Sequence, residues 1–286
     1  GGDAGIVRIH GTQKALAATT DCTPRYCYAD PVLGGTLAVV QAYRNLSAVG
    51  AQPLAITNNL NFGNPQKPDI MGQLVGCVQG MGQACRALDF PVISGNVSLY
   101  NETDGRAILP TPVIGGVGIL RNYKYRLSSL IKDAGLSLIL LGSRGQGWLG
   151  CSLWQQVCTT DTTVYAPPPV DLAVEKQLSQ VIRTLAQNSL IRACHDVGEG
   201  GLLIALTEML AGAALGMDLT LPMTAGSLFG EDMGRYIVAT HDHAALQRAL
   251  GDIPHTPLGH VIEGPQWTLN GKVFLPQGPK RPPLTF

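Results

Sequence analysis

Thirty-five glycines are scattered through 286 residues, and they fall between short apolar runs without a fixed period. That excludes a collagen-like chain. No apolar run reaches the roughly 18 residues of a membrane span. The chain is left with short strands and helices joined by glycine-containing polar loops. Apolar alternation predicts strands at 6–10, 15–20, 54–57, 91–94 and 111–120. Helical spacing places Leu37, Val40, Tyr43 and Leu46 on one face of a helix opened by Gly34 and Gly35, and Ile70, Leu74, Cys77, Met81, Cys85 and Leu88 on another that starts after Pro68. Asp21–Pro31 reads as an irregular loop.

The most polar connector is 121–132, so the domains are expected to be 1–122 and 123–286. The second half restarts with a strand at 136–141 and a Gly-rich loop at 143–150. Asp171 is expected to cap a helix carrying Leu178, Val181 and Leu185. Gly200-Gly201 opens a further helix, strands are expected at 217–221 and 236–240, and a short helix at 242–250. Asn270-Gly271 signals a terminal hairpin. Strands and helices alternate in both halves, which predicts an α/β or α+β protein of two domains.

Lys+Arg and Asp+Glu each number 20, so net charge gives no reason to expect nucleic-acid binding. Charged residues are 14% against about 25% in an average domain, which suggests surface buried against a partner. Seven cysteines without a CxxC pair argue against structural zinc or a disulfide framework and fit a reducing cytoplasm. The start, GGDAGIVRIHG, has no initiator Met and no leader pattern, so the chain is expected to begin inside a longer protein.

Three polar segments could carry chemistry. Ser94-Gly95-Asn96-Val97-Ser98 follows an apolar strand. Glycine lets backbone approach a phosphate, Ser98 can donate to a phosphate oxygen, and the Asn96 carbonyl is a hard ligand suited to Mg²⁺. The same residues also make ordinary turns. Asn58–Pro65 holds four asparagines and follows another strand, so both loops can meet at one sheet edge; an Asn-rich surface turn is the alternative. His195–Gly201 (HDVGEGG) reads either as a phosphate or Mg²⁺ site at a helix start or as carboxylates favoured by the helix dipole. Ser143–Gly150 lacks the Gly-Lys-Ser/Thr ending of a P-loop.

The strings TTDCTPRYCYADP, LAITNNLNFGNPQKP, SGNVSLYNET, PTPVIGGVGIL and HDVGEGGL occur in this order. Together they resemble the synthetase subunit of phosphoribosylformylglycinamidine synthases, within the aminoimidazole ribonucleotide synthetase superfamily. The resemblance implies a two-domain fold with an N-terminal barrel-forming sheet and a C-terminal α/β domain. It implies a cytoplasmic ATP-dependent carbon–nitrogen ligase of purine biosynthesis that converts formylglycinamide ribonucleotide to the amidine. The cofactors would be ATP and Mg²⁺. The chain would be the second half of that synthetase, inactive by itself. Its partners would be the first half, which holds the catalytic histidines, and a glutaminase subunit or domain, with no nucleic acid and no membrane. By position, Asn58 and Gly95 would contact ATP, Asn96 would ligate Mg²⁺ and Ser98 would contact the substrate. Asn58 stands where Asp is usual, GWLGCSLW departs from the usual GELGGSEY-like pattern, and Gly198 and Glu199 replace Ser and Asp. Two other readings are a complete aminoimidazole ribonucleotide synthetase, whose Lys- and Asp-bearing ATP loop we do not find, and a noncatalytic assembly half. The unpaired N-terminal sheet would leave an apolar face and open edges, which predicts a homodimer through that domain.

Overall fold

The computed structural model describes residues 2–275. The N-terminal sheet contains β1 (Gly5–Arg8), β2 (Ala15–Asp21), β3 (Gln52–Asn61), β4 (Val92–Ser98) and β7 (Thr111–Leu120). Their order is β1-β2-β7-β3-β4. All neighbours are antiparallel except β3 and β4, whose crossover is α3 (Pro68–Leu88). A small hairpin, β5 (Glu102–Thr103) and β6 (Arg106–Ala107), extends the β4–β7 connection. One sheet face is covered by α2 (Pro31–Ala48) and α3, and the core between them contains Val40, Leu46, Ile56, Met81 and Ile114.

The helices α2 and α3 meet backbone to backbone. A Cβ on Gly80 would stand 1.8 Å from the Val32 carbonyl oxygen, and one on Gly35 would stand 2.4 Å from that of Cys77. Glycine inside a helix costs about 1 kcal/mol relative to alanine. Here it permits the close crossing.

Several readings of this half change. Asp21–Pro31 is not irregular: Pro24–Ala29 forms α1, with Pro24 in its first turn and Tyr26 and Cys27 buried. Helix α2 begins earlier than its glycines, at Pro31, because the Asp30 carboxylate caps it by accepting from the Leu33 N–H at 3.0 Å. The extended ladder also runs through both polar loops. Asn58–Asn61 belongs to β3 and Gly95–Ser98 to β4, since cross-strand hydrogen bonding outweighs the turn preference of Asn and Gly.

In the C-terminal domain, seven strands run β14-β13-β10-β12-β8-β11-β9. They are β8 (Ser137–Gly142), β9 (Ala193–Asp196), β10 (Leu215–Leu219), β11 (Arg235–Thr240), β12 (His255–Glu263), β13 (Trp267–Leu269) and β14 (Lys272–Leu275). The helices are α4 (Leu153–Cys158), α5 (Leu172–Gln187), α6 (Gly201–Leu210), α7 (Ala225–Phe229) and α8 (His243–Leu250). One sheet face buries α6 residues Leu202, Leu206 and Met209; the other buries Leu178, Ile182 and Leu185 of α5 and Leu246 of α8. Asp171 caps α5, accepting from the Ala173 and Val174 N–H groups. The Asn270-Gly271 hairpin forms between β13 and β14. Strands β9 and β12 were not anticipated. Among the described residues no helix is long and apolar enough to cross a membrane.

Helix α2 belongs to both domains. Its Ala48 joins the α5–α8 core, and Ser47 Oγ lies 2.6 Å from Ser179 Oγ. Arg44 is fully buried. Its Nη2 donates to the carbonyls of Val197 at 2.7 Å and Arg235 at 2.9 Å and lies 3.2 Å from the Asp196 carboxylate. Its Nε is 3.8 Å from the equally buried Glu175. Removing one member of a buried charge network strands the others. Arg44→Met is therefore expected to lower unfolding free energy by about 3–5 kcal/mol. Urea unfolding checks this; a loss below about 1 kcal/mol would contradict it.

Candidate functional site

Strands β3 and β4 pair in parallel, and partners in register share a sheet face. Asn58 lies beside Gly95, Asn59 beside Asn96, and Asn61 beside Ser98. Asn58 also pairs with Ile114, which is fully buried and opposes Asp21 on the far side of β7. The sequence-predicted residues thus divide. Asn58 and Gly95 sit on the helix-covered face with Asp21. Asn96 and Ser98 sit on the opposite, open face. They come together only around β4, which is an edge strand and exposed along nearly its whole length.

Gly95 has a geometric role in this arrangement. A Cβ there would stand 1.9 Å from Asn58 Oδ1, so the asparagine side chain lies over the glycine. Ser98 is oriented by Asn101: its Oγ donates to Asn101 Oδ1 at 3.2 Å, and Asn101 Nδ2 donates to the Ser98 carbonyl at 2.9 Å. Asn61 braces the sheet, donating to the carbonyls of Asn59 and Thr111. Asn96 is exposed and offers one neutral oxygen, the donor type that Mg²⁺ accepts.

Behind this edge, at the domain seam, lies an acidic cluster that sequence reasoning did not assemble. Asn45 Nδ2 donates to Asp21 at 3.2 Å. Gln41 Nε2 donates to Asn45 Oδ1 at 3.1 Å and to Asp196 at 2.6 Å. Two amides therefore link two carboxylates across the domains. Arg25, on α1, pairs with Glu199 and, at 2.8 Å, with the buried Glu231. The string DCTPRY contains Asp21 and Arg25, but the carboxylate partners of Arg25 lie more than 150 residues away, where no spacing rule reaches.

The HDVGEGG segment leads into α6, which starts at Gly201 as expected. His195 and Asp196 lie on β9, not at a helix start. The N-terminus of α6 is served by Glu231, which accepts from the Gly200 N–H at 2.8 Å and also from the Leu153 N–H at 2.8 Å. His195 Nδ1 lies 2.6 Å from Asp3, and its Nε2 lies 3.0 Å from Glu208. Burial opposes charge on the ring, but the two carboxylates hold it protonated up to about 10. Asp3, His195 and Asp196 have donor atoms of metal-ligand type within 4.8 Å. The Gly-rich loop is also filled from within: the Asp232 carboxylate accepts from the N–H groups of Gln146 at 2.6 Å, Gly147 at 3.1 Å and Trp148 at 3.0 Å.

Burial, reinforced by the Asp196 carboxylate, raises Asp21 to about 7. Its folded value exceeds its unfolded value of about 3.8, so folding takes up a proton between these limits and stability falls as pH rises through them. Asp21→Asn removes this penalty. Its melting temperature should exceed the parent's by at least about 3 °C at pH 8, with the gap closing as pH falls toward 4. Calorimetric scans check this; a gap independent of pH would contradict it.

The N-terminal domain of AIR synthase related proteins matches residues 1–120, and the C-terminal domain of that family matches residues 133–270. The phosphoribosylformylglycinamidine synthase subunit PurL of Rhodospirillum rubrum is 54% identical over 259 residues, covering 87% of this chain and 35% of the relative. That of Parvibaculum lavamentivorans is 50% identical over 282 residues, covering 96% of this chain and 38% of the relative. The chain thus spans just over a third of these relatives. T. maritima PurL complexed with FGAR superposes with a TM-score of 0.79 at 19% identity, covering all of this chain and 49% of that one. A chain of a HypE–HypF complex superposes with a TM-score of 0.71 at 18% identity, covering 97% and 93%. At such identity these structures show the fold alone. With both domains matched in order, the chain belongs to the AIR synthase related protein family.

Proposed function

We propose that the chain is the second half of the synthetase subunit of a phosphoribosylformylglycinamidine synthase, an ATP-dependent ligase acting on formylglycinamide ribonucleotide. One observation carries this reading: the exposed edge strand β4 displays Gly95 beside Asn58 on one face and Asn96 and Ser98 on the other, with no carboxylate or imidazole among these four. Such an edge can bind and position a ligand but cannot do acid–base work. It is half of a site. The names of the relatives, PurL subunits about half identical to this chain, support the same assignment.

In this reading ATP lies against the Gly95 backbone and the Asn58 amide. Ser98, held by Asn101, donates to the substrate. Asn96 gives its carbonyl oxygen to Mg²⁺, which neutralises phosphate charge when bound. Phosphoryl transfer depends chiefly on positioning and charge neutralisation, so a half without acid–base groups is a sensible contributor. The other half brings those groups, and a glutaminase brings ammonia. The setting is the cytoplasm. A second reading, a noncatalytic assembly half, is favoured by Asn58 in place of the usual Asp.

Residues 1–286 alone should give no product from ATP, ammonia and formylglycinamide ribonucleotide, and adding the first half should restore turnover. In the restored enzyme Asn96→Leu should lower turnover at least about tenfold, the size expected when support of a metal site is lost. Turnover by the isolated chain would overturn the half-site, and an unchanged rate in Asn96→Leu would favour the assembly reading.

We also propose that the N-terminal domain pairs through the sheet face opposite α2 and α3. Leu16, Leu54 and Val117 are exposed there, and Ile93, at the register shift of the edge strand β4, is 71% exposed. Open edges and apolar patches of this kind are templates for pairing. Without the first half, a second copy takes its place, burying at least about 1,000 Å². Sedimentation at micromolar concentration should show a dimer. Adding the first half should dissociate it, and a monomer throughout would refute the pairing.

A further inference from the structure

The zero net charge conceals an uneven distribution. Carboxylates at the domain seam face Arg25, Arg44 and His195. The polar linker 121–132, by contrast, runs along a cleft of ≈ 410 Å³ walled by Lys124, Arg126, Lys132 and Arg192. Asp133 is the only acid on its lining, so four cations face one carboxylate, a local excess of three. None of the four takes part in an ion pair among the described residues.

All four side chains are exposed, but the backbone that carries them is fixed. The Leu127 N–H donates to the Val49 carbonyl at 3.1 Å, Ile131 to Met209 at 2.8 Å, Cys194 to Ser128 at 3.1 Å, and Arg192 to Ala239 at 2.8 Å. The linker is thereby tied to both domains, and Arg192 at the entry to β9 is tied to β11. Like charges held around a concavity repel each other and raise the local concentration of counter-ions. The cleft volume lies within the range of small-molecule sites, roughly 300–1,000 Å³. Ser128 and Ser189 add hydroxyls to its lining.

We propose that this cleft binds a small polyphosphate anion. A single phosphate carries at most about two negative charges near neutral pH; two linked phosphates match the excess of three and can engage cations from both walls. Lys132 and Arg192 come from separate segments, the linker and the entry to β9, and clamp the anion from two sides. The site is separate from the β3–β4 edge and independent of the function proposed for that edge.

Titration calorimetry of the whole chain with sodium pyrophosphate at low ionic strength tests this. One equivalent should bind. The double variant Lys132→Ala/Arg192→Ala, which removes two charge-assisted contacts, should weaken binding at least about tenfold. Arg248→Ala removes a surface cation outside the cleft and should change the affinity less than about twofold. Asn96→Leu should leave it unchanged, which separates the cleft from the edge site. Circular dichroism of each variant shows whether it folds. Absence of binding by the parent chain, equal loss in Arg248→Ala, or no loss in the double variant would overturn the proposal. So would tighter binding of a hexaglutamate peptide than of pyrophosphate, which would mark a protein-docking face.

Discussion

The fold turns on a single buried cation. Arg44 projects from a helix of the first domain into a cage made entirely by the second: two carbonyls, two carboxylates, the Met233 sulfur and the Tyr236 ring. An isolated charge cannot be buried without such a cage, so the arginine forms its contacts only when the domains are docked. The same docking fixes Asp196, and through Gln41 and Asn45 it fixes Asp21. Domain arrangement and acidic cluster are therefore one structural event.

The candidate edge benefits from that rigidity. Helix α2 lies across the sheet, and its glycine contact with α3 holds the β3–α3–β4 crossover close. The position of Gly95 relative to Asn58 is thus set by helix packing as well as by ladder hydrogen bonds. An edge strand with both faces accessible can reach a ligand from above and below, which a central strand cannot do.

Much of the scaffold could be read from residue order. Leu37, Val40, Tyr43 and Leu46 are buried as helical spacing requires, β7 spans Thr111–Leu120 as its apolar run indicated, and Asp171 caps α5. Local chemistry decides such features. The polar segments were harder. Asn58–Asn61 and Gly95–Ser98 carry turn-forming residues, yet pairing between strands more than 30 residues apart keeps them extended. The four candidate residues were identified by resemblance, and their division between two faces emerged only from the register. Arg25, Arg44, Glu175 and Glu231 carried no local signal, because each is defined by a partner in the other domain.

The Asp232 carboxylate in the Gly-rich loop has a wider consequence. Three backbone N–H groups converge on it, the arrangement that elsewhere cradles a phosphate. A tethered group competes at an effective concentration in the millimolar range or above. A dissolved anion must outcompete a resident that never diffuses away. The loop consequently behaves as a permanently liganded site whose ligand is encoded in the gene.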